Sequence, residues 1–281
     1  MSDLKSKIDK SIALLRKTEP LALEMSDKGF YLAFSGGKDS QCLYHVAKMA
    51  GVKFEAHYNL TTLDPPELVR FIKSHYPDVV IDLPRKSFWK LCIEKGLLPT
   101  RSIRFCCAEL KETKGAGTCT LVGIRHSESV RRSKRNEVEL SGRKFSGTLD
   151  QFEQHRQTEH VCIKGRDKII VSPIIEWSDR DVWEFISSNG IEYCKLYDEG
   201  FHRIGCIFCP MANKQHLLAM KARYPKYYDA FIRTVQRLQN NNLYKKMFPD
   251  LTADEIFDWW ISKESIQTWY AKNKQQMKLE I

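Results

Sequence analysis

Apolar and polar positions alternate with two different periods along the chain. Residues 1–28 carry apolar side chains at helical spacing, and Pro20 is predicted to break this helix or to begin a new one. From residue 29 to 212, short apolar runs alternate with helical segments, which is typical of parallel strands joined by helices. Residues 213–281 have helical periodicity almost throughout. The pattern therefore predicts an N-terminal helical segment, a mostly parallel, doubly wound (Rossmann-like) α/β domain and a helical C-terminal region.

Five apolar runs are predicted to be the strands of this sheet: residues 30–34, 54–58, 79–82, 119–123 and 168–171. Helices are predicted at residues 39–50 and Pro66–His75, and helix caps at Ser178 and Thr252. Parallel strands place their binding loops at the carboxyl ends. The loop after the first strand is therefore the first place to look for a ligand site.

Composition adds three expectations. Lysine and arginine number 45 against 35 acidic residues, a net charge of +10, which favours phosphate-bearing partners and also fits a basic surface without a partner. No apolar run approaches the roughly 20 residues of a membrane helix, and the N-terminal segment mixes lysines with acids, so we expect a cytoplasmic protein with no membrane partner. In that compartment, nine cysteines indicate metal ligands more than disulfides.

The loop after the first predicted strand reads Ser35-Gly36-Gly37-Lys38-Asp39-Ser40. Two glycines let the backbone turn tightly, and the following helix presents N–H groups and its positive dipole end to an anion. Lys38 adds positive charge, and the two serines add hydroxyl donors. Neither G-x-x-x-x-G-K-[ST] nor G-x-G-x-x-G is present, which disfavours kinase-like γ-phosphate transfer and dinucleotide binding. A phosphate loop is predicted, with an ordinary Gly-Gly turn as the alternative.

This loop resembles the pyrophosphate loop (PP-loop) of the adenine nucleotide α-hydrolase-like ATP pyrophosphatases, and specifically of the phosphoadenosine phosphosulfate (PAPS) reductase family. The resemblance covers roughly residues 28–212. It implies that the loop binds the pyrophosphate of ATP or the anionic part of an adenylylated sulfate, with reaction at the α-phosphorus or the sulfur. It also implies that Lys38 offsets charge on the leaving group and that Asp39 helps to hold Mg²⁺ or fixes the loop.

Residues 122–132 follow another predicted strand and are rich in arginine, whose fork suits phosphate or sulfate oxygens. The resemblance assigns anion binding to Gly123, Arg125, Ser129 and Arg132, with Arg125 also among the catalytic residues. The intervening His126-Ser127-Glu128 departs from the Arg-Asp-Gln that the reductases tend to carry. That departure weakens any transfer of their sulfate specificity.

Two further segments have a functional and an ordinary interpretation. Residues 131–144 are strongly basic without apolar periodicity, and are predicted to be a mobile loop that closes over a nucleotide, follows a nucleic-acid backbone or is only solvated. Thr61, Thr62 and Asp64 follow the second strand, where the resemblance implies adenosine contacts. The same residue types ahead of Pro65 also make an ordinary turn and cap.

Four cysteines form another constellation: Cys106, Cys107, Cys206 and Cys209. Two such pairs can complete a Cys₄ set, and adjacent side chains that point apart suit separate irons of a cluster better than one Zn²⁺. Zinc and buried or redox-active thiols remain alternatives. Iron–sulfur members of the resembled family hold a [4Fe–4S] cluster with pairs of this kind. The other cysteines are predicted to pack in the core: Cys42, Cys92, Cys119, Cys162 and Cys194.

Three functions follow as hypotheses. Assimilatory reductases of the family carry a cysteine in a C-terminal tail, and here none follows Cys209. The leading hypothesis is therefore an ATP pyrophosphatase that activates an acceptor, such as nucleic acid, for sulfur transfer from a sulfur donor. The second is reduction of adenylyl sulfate or PAPS with an external thiol, for instance from a thioredoxin-like protein. The third is an iron–sulfur module that binds nucleotide or nucleic acid without turnover.

An oligomer is a further possibility. The C-terminal region carries four aromatic residues that would fit a dimer face: Trp259, Trp260, Trp269 and Tyr270. Their helical spacing is more typical of core packing.

Overall fold

A computed structural model describes residues 2–158 and 167–277 of the chain. Helices α1–α12, in chain order, are Ser2–Met25, Lys38–Ala50, Pro66–His75, Phe88–Lys95, Phe105–Cys107, Leu149–Thr158, Asp179–Ser188, Lys214–Arg223, Pro225–Leu238, Asn242–Met247, Ala253–Ser262 and Ile266–Met277. Strands β1–β7 are Phe30–Ala33, Phe54–Asn59, Val80–Asp82, Cys119–Leu121, Val138–Leu140, Phe145–Gly147 and Ile169–Val171. Within those two ranges, no helix has both the length and the apolar character that crossing a membrane requires.

The strands form one sheet in the order β3-β2-β1-β4-β7-β5-β6. Neighbours from β3 to β7 are parallel, whereas β5 pairs antiparallel with both β7 and β6. The sheet winds outward in both directions from β1, which lies between β2 and β4. Open α/β sheets bind ligands at such a switch point, outside the carboxyl ends of the strands. The predicted doubly wound, mostly parallel fold is confirmed.

The predicted elements recur with small shifts at their ends. The five predicted strands correspond to β1, β2, β3, β4 and β7, and the two helices to α2 and α3. Both predicted caps are confirmed, because Ser178 and Thr252 each accept the backbone N–H three residues on. These segments were predictable because their apolar period is a local property of the sequence.

The prediction that residues 131–144 form one loop is wrong in its second half. Val138–Leu140 is strand β5 and is buried between β7 and β6. Glu139 is buried in that strand, where it pairs with Arg135 and accepts a hydrogen bond from Ser146 at 3.0 Å. Arg135 comes from the basic segment itself and Ser146 from the neighbouring strand β6, so the charge of the segment hid a strand.

The predicted break at Pro20 is also wrong, because α1 continues through it. A proline inside a helix removes one backbone hydrogen bond. Leu15, Leu21 and Ala22 around it are buried. Their packing offsets the missing bond, so the helix does not end there.

The chain separates into two compact units by its internal contacts. The first comprises Met1–Leu60, Pro66–Leu83 and Lys111–Ile204, and contains the sheet with α1–α3, α6 and α7. The second comprises Thr61–Pro65, Pro84–Leu110 and Gly205–Ile281, and contains the other helices. The units interleave along the sequence, and the segment boundaries at 28 and 212 remain predictions.

Aromatic rings build the core of the second unit. The Phe231 ring lies 5.4 Å from Phe88 and 5.3 Å from Phe208, centroid to centroid. The Trp260 ring lies 5.3 Å from Phe231, and its Nε1–H donates to the carbonyl of Pro99 at 2.7 Å. Trp260 therefore packs in this core, as its helical spacing favours.

Candidate functional site

The loop between β1 and α2 is closed by its own serines. Ser40 Oγ accepts hydrogen bonds from the N–H of Ser35 at 3.1 Å and from its hydroxyl at 3.0 Å, and donates to the carbonyl of Gly37 at 2.9 Å. Gly36 has a φ of +71°, and a Cβ there would lie 2.7 Å from Cδ1 of Ile72. Glycine is therefore required both by the backbone conformation and by the space available.

Helix α2 begins at Lys38 and has no side-chain cap of its own. Gly37 is the N-cap residue, and the N–H of Lys38 donates to the hydroxyl of Tyr197 at 2.9 Å. Burial raises the pKa of Tyr197, which keeps that hydroxyl protonated. The first turn of α2, where a helix binds anions, is thus ordered by a residue far along the chain.

The Lys38 side chain is buried and reaches helix α7. Its Nζ lies 2.5 Å from Oδ1 of Asp179 and 5.2 Å from the centroid of the Trp183 ring. The aliphatic stem is therefore enclosed while the ammonium group stays paired with a carboxylate. The site holds one fixed positive charge beside the loop.

Arg125, which follows β4, supplies a second buried positive charge and is 3% exposed. Its Nε donates to Oδ1 of Asp39 at 2.7 Å, and its Nη2 donates to Oδ1 of Asp179 at 3.0 Å. Its Nη1 donates to Oγ of Ser127 at 2.8 Å and to the carbonyl of Trp177 at 3.4 Å. All three guanidinium nitrogens are engaged, so the orientation of Arg125 is determined.

The two carboxylates around Arg125 have opposite pKa shifts. Burial raises the pKa of Asp39, and the nearby Glu128 adds to the rise, although Arg125 and Lys38 act against it. Burial acts in the same direction on Asp179, but the hydrogen bonds and charges of Lys38 and Arg125 outweigh it and lower the pKa of that carboxyl. Asp179 is therefore the carboxylate that the two cations hold most firmly in its ionised form.

The strand order explains why these residues meet. Strands β1, β4 and β7 are parallel neighbours, so their carboxyl ends lie side by side. Lys38, Arg125 and Asp179 follow those three strands in the sequence. A Cβ on Gly123 would lie 3.0 Å from the carbonyl oxygen of Asp39, so the segment after β4 approaches α2 too closely for a side chain.

The remaining predicted anion ligands of this segment lie further out. Ser129 is exposed, and its Oγ accepts the N–H of Arg132 at 3.3 Å. Arg132 forms an ion pair with Glu128, whose Oε2 also accepts the N–H of Arg125 at 3.0 Å. Glu128 thus bonds to both Arg132 and Arg125. Its carboxylate pairs with positive charge on Arg132 that the sequence pattern assigned to ligand binding.

The four predicted cluster cysteines all belong to the second unit. A hydrogen bond to Cys107, burial, and the neighbouring Cys206 and Cys209 raise the pKa of the Cys106 thiol, so the other three lie within electrostatic reach of Cys106. All four are partly exposed. In the part of the chain that the structure describes, no three His, Cys, Asp or Glu side chains are arranged as a ready metal site.

The other cysteines differ clearly from these four. Cys42, Cys92, Cys119 and Cys194 are buried, which confirms the predicted core packing. Cys162 lies outside the described residues. Partial exposure therefore separates the candidate ligands from the structural cysteines.

Residues 29–212 match the family model of the phosphoadenosine phosphosulfate reductase domain. The chain belongs to this family. The match covers the sheet, the loop after β1, Arg125 and Asp179. In this PAPS reductase domain, the loop after β1 lies at the switch point of the sheet.

Relatives of this PAPS reductase domain chain include an uncharacterized protein and a named reductase. An uncharacterized protein of Methanocaldococcus jannaschii is 28% identical over 232 residues, which are 81% of this chain and 52% of that protein. An adenosine 5'-phosphosulfate reductase of Oceanobacillus iheyensis is 28% identical over 151 residues, 51% of this chain and 54% of that enzyme. The chain thus spans about half the length of these curated relatives.

Among solved structures, the fold is similar to Candida glabrata FMN adenylyltransferase in complex with FAD and inorganic pyrophosphate. The TM-score is 0.50 at 14% identity, over 73% of this chain and 66% of that one. At this identity the similarity concerns the fold. It agrees with the mostly parallel sheet of the PAPS reductase domain.

Thr61, Thr62 and Asp64 lie in the second unit. Oδ2 of Asp64 accepts the N–H of Thr61 at 2.6 Å and its hydroxyl at 2.9 Å, which are the bonds of a turn. Thr61 Oγ1 also lies 3.5 Å from Sγ of Cys206. Thr62 has a φ of +65°, and its Oγ1 accepts the N–H of Phe88 at 3.0 Å, at the start of α4. The adenosine contacts of these residues remain a prediction.

Sequence reasoning missed three residues of the site: Asp179, Trp183 and Tyr197. Residues 178–181 were recognised as a helix cap, and the cap does use Ser178 and Asp181. Asp179 takes no part in that capping box. An extra acidic side chain at a helix start that was already capped was the one feature of the sequence that pointed to another role for Asp179. The strand order, which places this helix beside the loop, was needed to interpret it.

Proposed function

We propose that this PAPS reductase domain protein binds ATP at residues 35–40 and transfers the adenylyl group to an acceptor, which prepares the acceptor for sulfur transfer. The observation that carries the proposal is the convergence of Lys38 and Arg125 on one oxygen of Asp179, beside the first turn of α2. Two buried cations directed at one point suit a ligand group with several anionic oxygens.

The reaction follows from these positions. An oxygen of the acceptor bonds to the α-phosphorus while the bond from that phosphorus to the bridging oxygen breaks, and pyrophosphate leaves. Lys38 offsets the charge that accumulates on pyrophosphate, and Arg125 holds oxygens of the phosphate chain. A sulfur nucleophile from the donor then attacks the activated atom of the acceptor, and AMP leaves. Asp39 and the phosphates would hold Mg²⁺.

Glu128 supports ATP over an adenylylated sulfate as the ligand. It pairs with Arg132 and so engages one of the arginines that sulfate recognition would use. Arg125 is also paired with a carboxylate, but that of Asp179 belongs to a side chain that is 60% exposed. The Glu128 side chain is 12% exposed, so it holds Arg132 more firmly and leaves less of it for an incoming sulfate. The similarity to the adenosine 5'-phosphosulfate reductase nevertheless makes reduction with an external thiol the second candidate.

A [4Fe–4S] cluster is part of the proposal, with Cys106, Cys107, Cys206 and Cys209 as its ligands. Four partly exposed thiols, three of them within electrostatic reach of Cys106, fit the donor chemistry of such a cluster. When bound, the cluster would supply electron-transfer and sulfur-binding chemistry. The thiol side chains would hold and orient it.

The acceptor is proposed to be nucleic acid. The net charge of +10 supports association with a polyanion. Charge alone also fits a small acidic acceptor, so the assay must offer both kinds. Transfer RNA and duplex DNA are the nucleic acids to compare.

The test is to incubate anaerobically purified protein with ATP and Mg²⁺, with or without nucleic acid, and to quantify pyrophosphate, phosphate and AMP. Pyrophosphate and AMP are expected, with nucleic acid increasing both. Phosphate without pyrophosphate, or no turnover with any acceptor, would contradict the proposal. Sulfite released from adenylyl sulfate or PAPS in a parallel reaction with thioredoxin would establish the second candidate instead.

A pair of lysines on α2 provides the matched control. Lys38→Met removes the buried ammonium and is expected to abolish pyrophosphate release. Lys48→Met removes an exposed lysine on the same helix that pairs with Asp78, and is expected to leave it unchanged. Equal losses in both variants would indicate general unfolding or a general charge effect.

A further inference from the structure

Asp179 is the shared partner of the two cations at the loop. One of its oxygens, Oδ1, accepts from Nζ of Lys38 at 2.5 Å and from Nη2 of Arg125 at 3.0 Å. A phosphate oxygen also accepts hydrogen bonds from ammonium and guanidinium groups. The carboxylate oxygen therefore stands where an oxygen of an anionic ligand would bind.

A ligand oxygen and this carboxylate cannot share the position. Both are anionic and accept hydrogen bonds without donating any, so they repel each other when they approach the same donors. The three N–H groups on Nε and Nη1 are bonded to Asp39, Ser127 and the carbonyl of Trp177, so Nη2 is the guanidinium nitrogen that still has an N–H to offer. An anion that accepts from Nζ of Lys38 and from the Nη2 N–H directed between the two cations must therefore displace Asp179.

Asp179 is the partner that is easiest to displace. Its side chain is 60% exposed, whereas the side chain of Asp39 is 23% exposed and Trp177 contributes a backbone carbonyl. Asp179 is also the first residue of α7, where the helix dipole favours a negative charge. After rotating into solvent, the carboxylate would remain in a favourable electrostatic environment.

We propose that the Asp179 carboxylate is an internal substitute for the ligand anion: it occupies the anion position between Lys38 and Arg125, and a phosphate group of the nucleotide displaces it on binding. Asp179 thereby lowers the apparent affinity for every ligand that needs this position, in proportion to how fully the carboxylate occupies it. This inference rests on the proposed nucleotide function. It adds a residue that sets the affinity of the site and keeps both buried cations paired between turnovers.

The fold provides a way to test this without disturbing the helix. The α7 cap uses Ser178 and Asp181, so Asp179→Asn leaves the capping box in place. Glu184 lies on the same helix and faces Arg180 at 3.8 Å. Glu184→Gln removes one negative charge from α7 without touching Lys38 or Arg125, and is the matched control.

The experiment is calorimetric titration of inorganic pyrophosphate into the full-length chain, in EDTA at fixed ionic strength. Asp179→Asn is expected to bind pyrophosphate at least about tenfold more tightly than wild type, because the competing carboxylate is gone. Glu184→Gln is expected to stay within about twofold of wild type, since exposed charges at a distance are screened. Thermal melts of both variants verify folding, and Asp179→Ser replaces Asp179→Asn if that variant unfolds.

Each outcome decides the inference. Tighter binding in Asp179→Asn alone supports it, including the case in which wild type shows no measurable binding. If both variants bound pyrophosphate more tightly to the same extent, the cause would be the loss of one negative charge anywhere on α7, and the inference would be overturned. Unchanged or weaker binding in Asp179→Asn would overturn it as well, and would make Asp179 a residue that positions the cations. If wild type binds pyrophosphate in that last case, the proposed function survives; if no variant binds, both fail.

Discussion

The hydroxyl of Tyr197 accepts a hydrogen bond from the N–H of Lys38 at 2.9 Å, although 159 residues separate the two. Tyr197 follows α7 in a short 3₁₀ turn, and Lys38 is the first residue of α2. The bond satisfies an N–H at the start of a helix whose N-cap is glycine. A tyrosine outside the loop thus completes the first turn of α2.

Removing this hydroxyl should destabilise the protein measurably. Tyr197→Phe leaves the Lys38 N–H without its acceptor, and we expect a loss of about 1–2 kcal/mol in the free energy of unfolding. Urea denaturation followed by circular dichroism measures it. The control is Tyr193→Phe, which removes only a bond to Asp198 at the surface and should change the unfolding midpoint little. Identical midpoints for the two variants would contradict the prediction.

The close approach of Gly123 to α2 gives a second prediction. In Gly123→Ala, the added Cβ meets the backbone carbonyl of Asp39 at 3.0 Å, which cannot rotate away as a side chain can. We expect a cost of about 1–3 kcal/mol and a displaced Arg125, with pyrophosphate release reduced at least about tenfold. Gly205→Ala is the control, because a Cβ there meets nothing within 4 Å. Wild-type stability and turnover in Gly123→Ala would show that the strand end can move.

The bond between α1 and α7 should make stability depend on pH. Oδ2 of Asp181 accepts from Nζ of Lys7 at 2.9 Å and from the N–H of Ser178 at 2.6 Å. Burial alone would raise the pKa of Asp181, but these bonds outweigh it and lower that pKa. A lowered pKa in the folded state means that the stabilisation is complete above the unfolded value of about 3.9 and is lost as pH falls through the folded value.

Asp181→Asn should therefore lower the free energy of unfolding by about 1.5–3 kcal/mol at pH 7, and the difference from wild type should shrink below about pH 4. Guanidinium denaturation across pH 3–8 measures it. Asp3 also pairs with Lys7 but is exposed, so Asp3→Asn should show little effect at any pH. If the difference in the free energy of unfolding between wild type and Asp181→Asn grew as the pH fell, the predicted direction of the pH dependence would be wrong.

The proposed cluster is testable by its iron content. Anaerobically reconstituted wild type should contain about four irons and four sulfides per chain and absorb near about 400 nm. Cys106→Ser and Cys209→Ser should each lose most of that absorption, whereas Cys92→Ala changes a buried cysteine in α4 and should retain it. Chelation of the iron should abolish the absorption without abolishing pyrophosphate binding to Lys38 and Arg125. Stoichiometric zinc, or iron retained in both serine variants, would rule out this cluster.

Sequence periodicity was sufficient for the elements that position the site. The strand at 30–33, the glycines after it and the helix that begins at Lys38 form a continuous segment, so this strand–loop–helix unit was recognisable from adjacent residues. Strand β5 was missed because its pairing partners, β7 and β6, lie beside it only after the chain folds back on itself. A charge run and a strand are indistinguishable until those partners are known.

The sequence by itself determined the α/β pattern and the strand, glycine turn and helix start around residues 35–40, because each depends on neighbours within a few positions. Only the tertiary structure decided that Lys38, Arg125 and Asp179 meet, since that depends on β1, β4 and β7 lying side by side with parallel carboxyl ends. Because of the same strand order, Asp179, which the sequence shows only as an aspartate next to a helix cap, is the shared partner of two buried cations. Strand order is set by packing between distant segments, and no local pattern in the chain encodes it.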